Sequence, residues 1–277
     1  MLKKAWEFAY HKKKVGIIQT ILDRIQGQTY LEIGVEAGRC FWRVNAARKI
    51  AVDPALRPAF QQQGNGVRLK LERLVRGPQP AGHVSVFAMT SDEFFSRYAE
   101  VFSEQRIDVA LIDGLHTYDQ SLRDVHHCLE YLSPRGVIVI HDCNPPLEAI
   151  AYPAPSFEAA QALRLPGWTG AWCGDVWKTI VHLRASRDDL RVFVLDCDWG
   201  VGIITLGHTE DRLEYSLGEI RELAYHDLIR NRQHMLNLKP VEYLDTFLTS
   251  LHVPPVSPDH NGRGAPFVNT LFPTDSS

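Results

Sequence analysis

Between Tyr30 and Asp53 the chain reads Y-L-E-I-G-V-E-A-G-R-C-F-W-R-V-N-A-A-R-K-I-A-V-D, and this stretch constrains the fold more than any other. Tyr30 to Ile33 is a short apolar run, broken near its end by Glu32, as expected of a buried strand. Gly34 and Gly38 follow, and there the backbone can turn tightly and come close to a neighbour or a ligand. A helix is expected from about Cys40 to Arg48, then a second strand, Lys49 to Val52, ending in the carboxylate of Asp53. Strand, glycine turn, crossover and strand make a βαβ unit, which commits the chain to a sheet with parallel strands. An acid about 20 positions past such a turn is placed to accept hydrogen bonds from both hydroxyls of a ribose.

The spacing at the turn restricts which nucleotide could sit there. A G-x-G-x-x-G fingerprint crowds three glycines so that a pyrophosphate rests on a helix N-terminus, whereas this chain has Glu32-x-Gly34-x-x-x-Gly38. A nicotinamide dinucleotide is therefore disfavoured. The same string followed by an acidic strand end resembles the S-adenosylmethionine (SAM) site of class I methyltransferases, whose ligand has adenosine, no phosphate, and a cationic sulfonium and ammonium. The resemblance assigns Glu32, Gly34, Gly38 and Asp53 to cofactor binding. Ser91 and Asp92, after the third strand, are its candidates for the adenine edge, with Asp113 also at the cofactor.

The alternation continues along the chain. His83 to Ala88 is a third strand, Ser91 is expected to cap a helix carrying Phe94 and Phe95, and Ile107 to Ile112 is a fourth strand, apolar but for Asp108, of the kind buried on both faces. Around this frame residues 1–27 read as an N-terminal helical cap, with apolar residues recurring at three and four from Trp6 to Ile25. A basic helical piece is expected from Val67 to Arg76 between glycine- and proline-rich connections. Lys12, Lys13 and Lys14 read as a solvated basic face. Residues 28–208 form the α/β domain, residues 209–252 add helices at about Tyr215 to Asn231 and Val241 to Leu251, and residues 253–277 read as a poorly ordered tail. The C-terminal helices would cover the domain or form a homodimer surface.

A second block carries the chemistry. D-V-A-L-I-D-G-L-H-T-Y-D, from Asp108 to Asp119, is followed by a helix and then by S-P-R-G-V-I-V-I-H-D-C-N-P-P, from Ser133 to Pro146. Two buried strands thus end in Asp113 and Asp142. In open α/β sheets ligands bind beyond the carboxyl ends of the strands, so Asp113, His116, His141, Asp142 and Asn144 can converge with Glu32 and Asp53. These motifs resemble the bacterial small-molecule O-methyltransferases of class I, the group that includes catechol O-methyltransferase-like and antibiotic-sugar methyltransferases. The resemblance covers roughly residues 28–145. It implies a seven-stranded, mostly parallel Rossmann-like sheet with helices on both faces and the last strand antiparallel. It also implies methyl transfer from SAM to a small-molecule acceptor, most naturally at oxygen in specialised metabolism.

In metal-dependent members of that group the acids after the fourth and fifth strands hold magnesium, and Asp113 and Asp142 match those positions. Cys143 stands where a further Asp or Asn is usual, and a thiol is a poor ligand for a hard cation. His116 and His141 leave two other readings. One of them could act as the general base on the acceptor, or both with Asp142 could hold a softer metal, as in an oxygenase. A non-catalytic SAM-fold binding protein would keep the cofactor turn alone. Asn144-Pro145-Pro146 resembles the N-P-P-aromatic motif of amino methyltransferases, but Leu147 replaces the aromatic, and an extended exit from the strand explains the prolines.

Residues 147–173 form a lid insertion ending in W-T-G-A-W-C-G-D-V-W-K, with Trp168, Trp172 and Trp177 as candidate walls for the acceptor and Asp175 or Lys178 to orient it. Leu190 to Leu195 and Val201 to Leu206 are two strands joined by D-C-D-W-G, a hairpin. With 30 basic against 33 acidic residues, a net charge of −3 argues against a nucleic-acid or membrane surface. Five scattered cysteines without a C-x-x-C pair point to reduced thiols in the cytoplasm.

Overall fold

The computed structural model describes residues 2–63, 70–71 and 83–251. Seven strands of five residues or more build the sheet: β1 (Thr29–Ile33), β2 (Arg48–Val52), β4 (His83–Phe87), β5 (Ile107–Ile112), β6 (Leu132–Ile140), β7 (Leu190–Leu195) and β8 (Val201–Leu206). Two dipeptides, β3 (Lys70–Leu71) and β9 (Leu238–Lys239), extend its edges, giving nine strands in the order β3-β4-β2-β1-β5-β6-β8-β7-β9. The seven expected strands are thus the body of the sheet, and the additions are two edge pairings too short to leave a sequence signal. Only β8 runs against the others, paired antiparallel to both β6 and β7.

The central strands are mostly apolar because both faces of the sheet are covered. Leu31, Ile33, Ile50, Val52, Ala110, Ile112, Ile138 and Ile140 pack on one side. Tyr30, Ala51, Val109, Leu111, Val137 and Val139 pack on the other. The first face carries α3 (Ser91–Tyr98), α4 (Tyr118–Glu130) and α7 (Trp177–Ser186), whose Phe94, Val125, Cys128, Ile180 and Val181 fill that core. The second face is covered by α1 (Leu2–Ile25) through Ile17, Ile18, Ile21, Leu22 and Ile25, and by α10 (Tyr243–Ser250) through Leu244, Phe247 and Leu248. The N-terminal segment is therefore a layer of the domain. Among the described residues no helix is long and apolar enough to cross a membrane.

Four expectations about helices change. Residues 39–43 form turns and residues 44–47 are irregular, in place of a helix from Cys40 to Arg48. The buried ammonium of Lys49 donates to the carbonyls of Phe41 and of Val44 (2.8 Å), so those acceptors are satisfied without a helical ladder. Lys70–Leu71 pairs with β4 where a helix from Val67 to Arg76 was expected, and the rest of that segment lies outside the described residues. The helix expected from Tyr215 to Asn231 is two, α8 (Leu217–Glu222) and α9 (Tyr225–Met235). Thr90, one residue before Ser91, caps α3 in a capping box with Glu93. The tail expected over 253–277 is outside the described residues.

Candidate active site

Parallel register lines up the strand exits. Asp113 N–H donates to Ile33 O (2.9 Å), His141 N–H to Ile112 O (3.0 Å), Gly34 N–H to Val52 O (3.0 Å) and Asp53 N–H to Phe87 O (3.1 Å). The residues just past β1, β2, β5 and β6 therefore stand side by side, a strand spacing apart, where the chain order reverses between β1 and β5. Gly34, at φ +83°, is required there: a Cβ would lie 2.1 Å from the Asp113 carbonyl oxygen and 2.4 Å from Gly114 Cα. Gly38, at φ +76°, lies against the rings of Phe60 and Trp42.

The carboxylate of Asp53 faces the glycine turn. Its Oδ2 accepts from the N–H groups of Val35 (2.8 Å) and Glu36 (2.6 Å), and its Oδ1 from Ala55 N–H (2.6 Å). The amides that would cradle a phosphate are thus already bound to an internal anion, which gives the missing dinucleotide fingerprint a physical basis. Asp53 has one acceptor position left on Oδ1, room for one ribose hydroxyl where two were expected. Glu32 is buried, and Tyr30 donates its hydroxyl to Glu32 Oε2 (2.5 Å). Burial pushes the Glu32 carboxyl up to about 7, against the Tyr30 hydrogen bond and the charge of Lys14.

Ser91 and Asp92 are held toward α4. Ser91 Oγ donates to Asp124 Oδ1 (2.6 Å), and Asp92 Oδ1 lies 3.3 Å from His127 Nε2 and 3.4 Å from Gln120 Nε2.

Asp113, His116, His141 and Asp142 do converge. His141 Nδ1 stands 3.2 Å from both Asp113 Oδ1 and Asp142 Oδ1, bridging the two carboxylates. His116 Nδ1 donates to Trp172 O (2.7 Å) with Asp142 Oδ2 at 3.2 Å, while its Nε2 is 3.5 Å from Asp113 Oδ1. Asp142 adopts φ +63°, a left-handed conformation of the kind that concentrates at functional sites.

A fifth member was not expected. Lys14, 1% exposed, places Nζ 2.5 Å from Asp113 Oδ2, and its backbone N–H donates to Asp198 Oδ2 (2.9 Å) in the β7–β8 turn. The reading of Lys14 as a solvated face is thus corrected, while Lys13 beside it is exposed. The signal was present in the spacing, since 14, 18, 21 and 25 share the helical stripe of Ile18, Ile21 and Ile25.

Burial opposes each of these charges, and the neighbours outweigh it. It would lower Lys14, but Asp113 holds the ammonium above the ordinary lysine range. Burial would likewise raise Asp113, but Lys14 and His141 hold it well below the usual carboxylate range, and His141 and His116 do the same for Asp142. His141 is raised to about 9 against burial, chiefly by Asp142, and His116 is raised by Asp142 and Asp113.

This balance decides the fit of a metal. One ligand atom each from Asp113, His141 and Asp142 lie within 4.8 Å of one another, a spacing that admits a cation. The ammonium of Lys14, however, already stands on Asp113 Oδ2, and His141 Nδ1 lies 3.2 Å from one oxygen of each carboxylate. Magnesium also demands near-octahedral oxygen, and the buried Cys143 thiol turns to the carbonyls of Ile140 and His141. With one cation already bound to Asp113 and a thiol at the position after Asp142, the donor set does not fit the expected magnesium.

The lid closes over this cluster. Trp172, 5% exposed, sets its ring 5.6 Å from that of His116 and donates Nε1–H to Tyr152 O. Gly174, at φ +58°, lets the lid backbone reach His116, where a Cβ would meet the His116 carbonyl oxygen at 1.8 Å. Trp177 is instead a core residue and Trp168 packs on Phe157. Asp175 accepts from Tyr118 N–H (2.7 Å), capping α4. Beside Tyr118 lies an open hollow of about 240 Å³ whose Arg221 pairs with Asp119 (3.1 Å) and whose Lys178 stands 3.9 Å from Asp175. The Asn144 amide is committed to Arg232 and Asp196 (3.1 Å), so it has the structural role of a strand exit.

Residues 31–143 match the family model of a methyltransferase domain. The methyltransferase match runs from β1 to one residue past Asp142. It takes in Glu32, Gly34, Gly38, Asp53, Asp113, His116, His141 and Asp142, and leaves out Lys14, the lid and Asp198. No curated protein sequence matches the chain. Among solved structures, the chain is similar to the Podospora anserina methyltransferase PaMTH1 bound to SAH, at 16% identity and TM-score 0.44, over 69% of this chain and 76% of that one. It is also similar to an O-methyltransferase family protein from Burkholderia thailandensis, at 14% identity and TM-score 0.43, over 72% of this chain and 57% of that one.

Proposed function

We propose that this chain is a SAM-dependent methyltransferase that acts on a hydroxyl of a small-molecule acceptor, without a metal. The observation that carries the reading is the match of residues 31–143 to a methyltransferase domain, joined to an acid–base cluster at the strand exits that flank the glycine turn. Asp53 occupies the turn amides that a dinucleotide phosphate would need, and Glu32 places a buried carboxyl group two residues before the turn glycine.

Methyl transfer is an in-line displacement: the acceptor oxygen forms a bond to the methyl carbon while the carbon–sulfur bond breaks and the sulfide leaves with the electron pair. The protein's work is to align the two and accept the acceptor's proton. His116 is the base in this reading, because its side chain is 22% exposed against 4% for His141, and because Trp172 O holds its Nδ1–H and leaves Nε2 to exchange the proton. Asp113, 3.5 Å from Nε2, stabilises the imidazolium that forms, and His141 holds the two carboxylates in register.

Calorimetric titration of the protein with SAM and, separately, NAD tests the cofactor: saturable binding of SAM with none of NAD is expected, and absence of SAM binding overturns the reading. His116→Ala is expected to lower turnover by about 10²- to 10⁴-fold with SAM affinity little changed; unchanged turnover removes His116 as the base.

A further inference from the structure

We propose that the ammonium of Lys14 takes the place of a divalent cation at the Asp113–Asp142 pair, as an internal, permanently bound counter-charge that positions Asp113 for the acid–base step. The inference rests on the methyltransferase reading for its consequence, but not for its geometry.

Lys14 lies on the stripe by which α1 packs on the sheet, a turn before Ile18 and two before Ile21. An apolar residue there would continue the stripe at no electrostatic cost, whereas a fully buried ammonium requires paired acceptors. The ammonium has its acceptor in Asp113, and the helix backbone that carries it is held separately. Asp198 takes the Lys14 backbone N–H at 2.9 Å, and Asp113 Oδ2 takes the side chain at 2.5 Å. Asp113 then has Oδ2 fixed by Lys14 and Oδ1 facing both His141 Nδ1 (3.2 Å) and His116 Nε2 (3.5 Å). A metal at this position would do two things: neutralise the carboxylate pair and fix its orientation. Lys14 does both for Asp113, from a helix that the matched methyltransferase segment does not contain, since that segment begins at residue 31, while Asp142 faces His141 Nδ1 at 3.2 Å.

The test compares wild type, Lys14→Ala, Lys14→Met and Lys14→Arg, with Mn²⁺ as the probe, read by electron paramagnetic resonance and by thermal melting. Wild type is expected to bind no Mn²⁺ at this cluster. Lys14→Ala opens space beside an uncompensated carboxylate and is expected to bind one Mn²⁺ and to melt higher in its presence, an effect abolished by adding Asp142→Asn. Stoichiometric Mn²⁺ binding to wild type that is lost in Asp113→Asn overturns the proposal, as does a folded Lys14→Ala protein that gains no Mn²⁺ site. Should Lys14→Ala not fold, Lys14→Met and Lys14→Arg decide: Met is expected to reduce kcat by about tenfold or more at unchanged SAM affinity, with Arg recovering most of it, and a Met variant as active as wild type overturns the proposal. SAM affinity is measured alongside. Its absence in wild type would count against the methyltransferase reading and leave the Mn²⁺ result standing on its own.

Discussion

His182 shows how far a single side chain can make stability depend on pH. His182 Nδ1 shares a hydrogen bond with the Tyr118 hydroxyl at 2.6 Å, and the imidazole is partly buried. Burial, with His126 and Arg221 nearby, lowers its pKa from 6.5 to about 4. Between these values the unfolded chain binds a proton that the folded protein does not, so stability falls as pH drops from about 6.5 to about 4. Allowing for partial exposure, the loss is about 1 to 2 kcal/mol. Urea unfolding at a series of pH values should show this slope, and His182→Gln should flatten it. Gly34 carries a different kind of requirement. With φ at +83° and backbone atoms of Asp113 and Gly114 inside 2.5 Å of any Cβ, Gly34→Ala should cost about 3 kcal/mol or more. A melting temperature within a few degrees of wild type would show that the β1 exit can retreat from β5.

Among the elements, α1 offers a matched contrast. Gly16 is helical and a Cβ there meets nothing within 4 Å, so Gly16→Ala should stabilise the protein by about 1 kcal/mol, measurable as a rise in urea midpoint at unchanged slope. Lys14, two residues earlier on the same helix, has no such freedom. This pair also marks what the sequence disclosed. The strands were legible because the ends of β5 and β6 are apolar runs stopping at Asp113 and at His141-Asp142, and parallel register then dictates that those ends meet. The turns and irregular backbone over residues 39–47 were not legible, because the Lys49 ammonium that satisfies the Phe41 and Val44 carbonyls arrives from β2. The burial of Lys14 was legible in its helical spacing, but its partners were not, because they are 99 and 184 positions away and a run of three lysines reads locally as a wet surface. Asp53 was legible in place but not in orientation, since a sequence does not tell whether a carboxylate turns to a ligand or to its own backbone.

At the scale of the whole molecule, ligand binding and folding are one equilibrium. If SAM binds the native state alone, it should raise stability by about 2.7 kcal/mol at a hundredfold excess over Kd, and by thermal melting NAD should add nothing. A melting curve insensitive to SAM would contradict the cofactor assignment independently of calorimetry. The bond from Lys14 to Asp198 has a further consequence. It joins residues 184 positions apart, so during synthesis the helix that supplies the ammonium leaves the ribosome long before its anchor exists. At about 5 to 20 residues per second, that gap lasts on the order of ten seconds or more. Throughout it Asp113 and Asp142 can be made and even placed, yet the counter-charge that Asp198 anchors beside them is not locked in. The contact that ties α1 to the far end of the sheet is therefore one of the last to form, and it waits on completion of the β7–β8 turn.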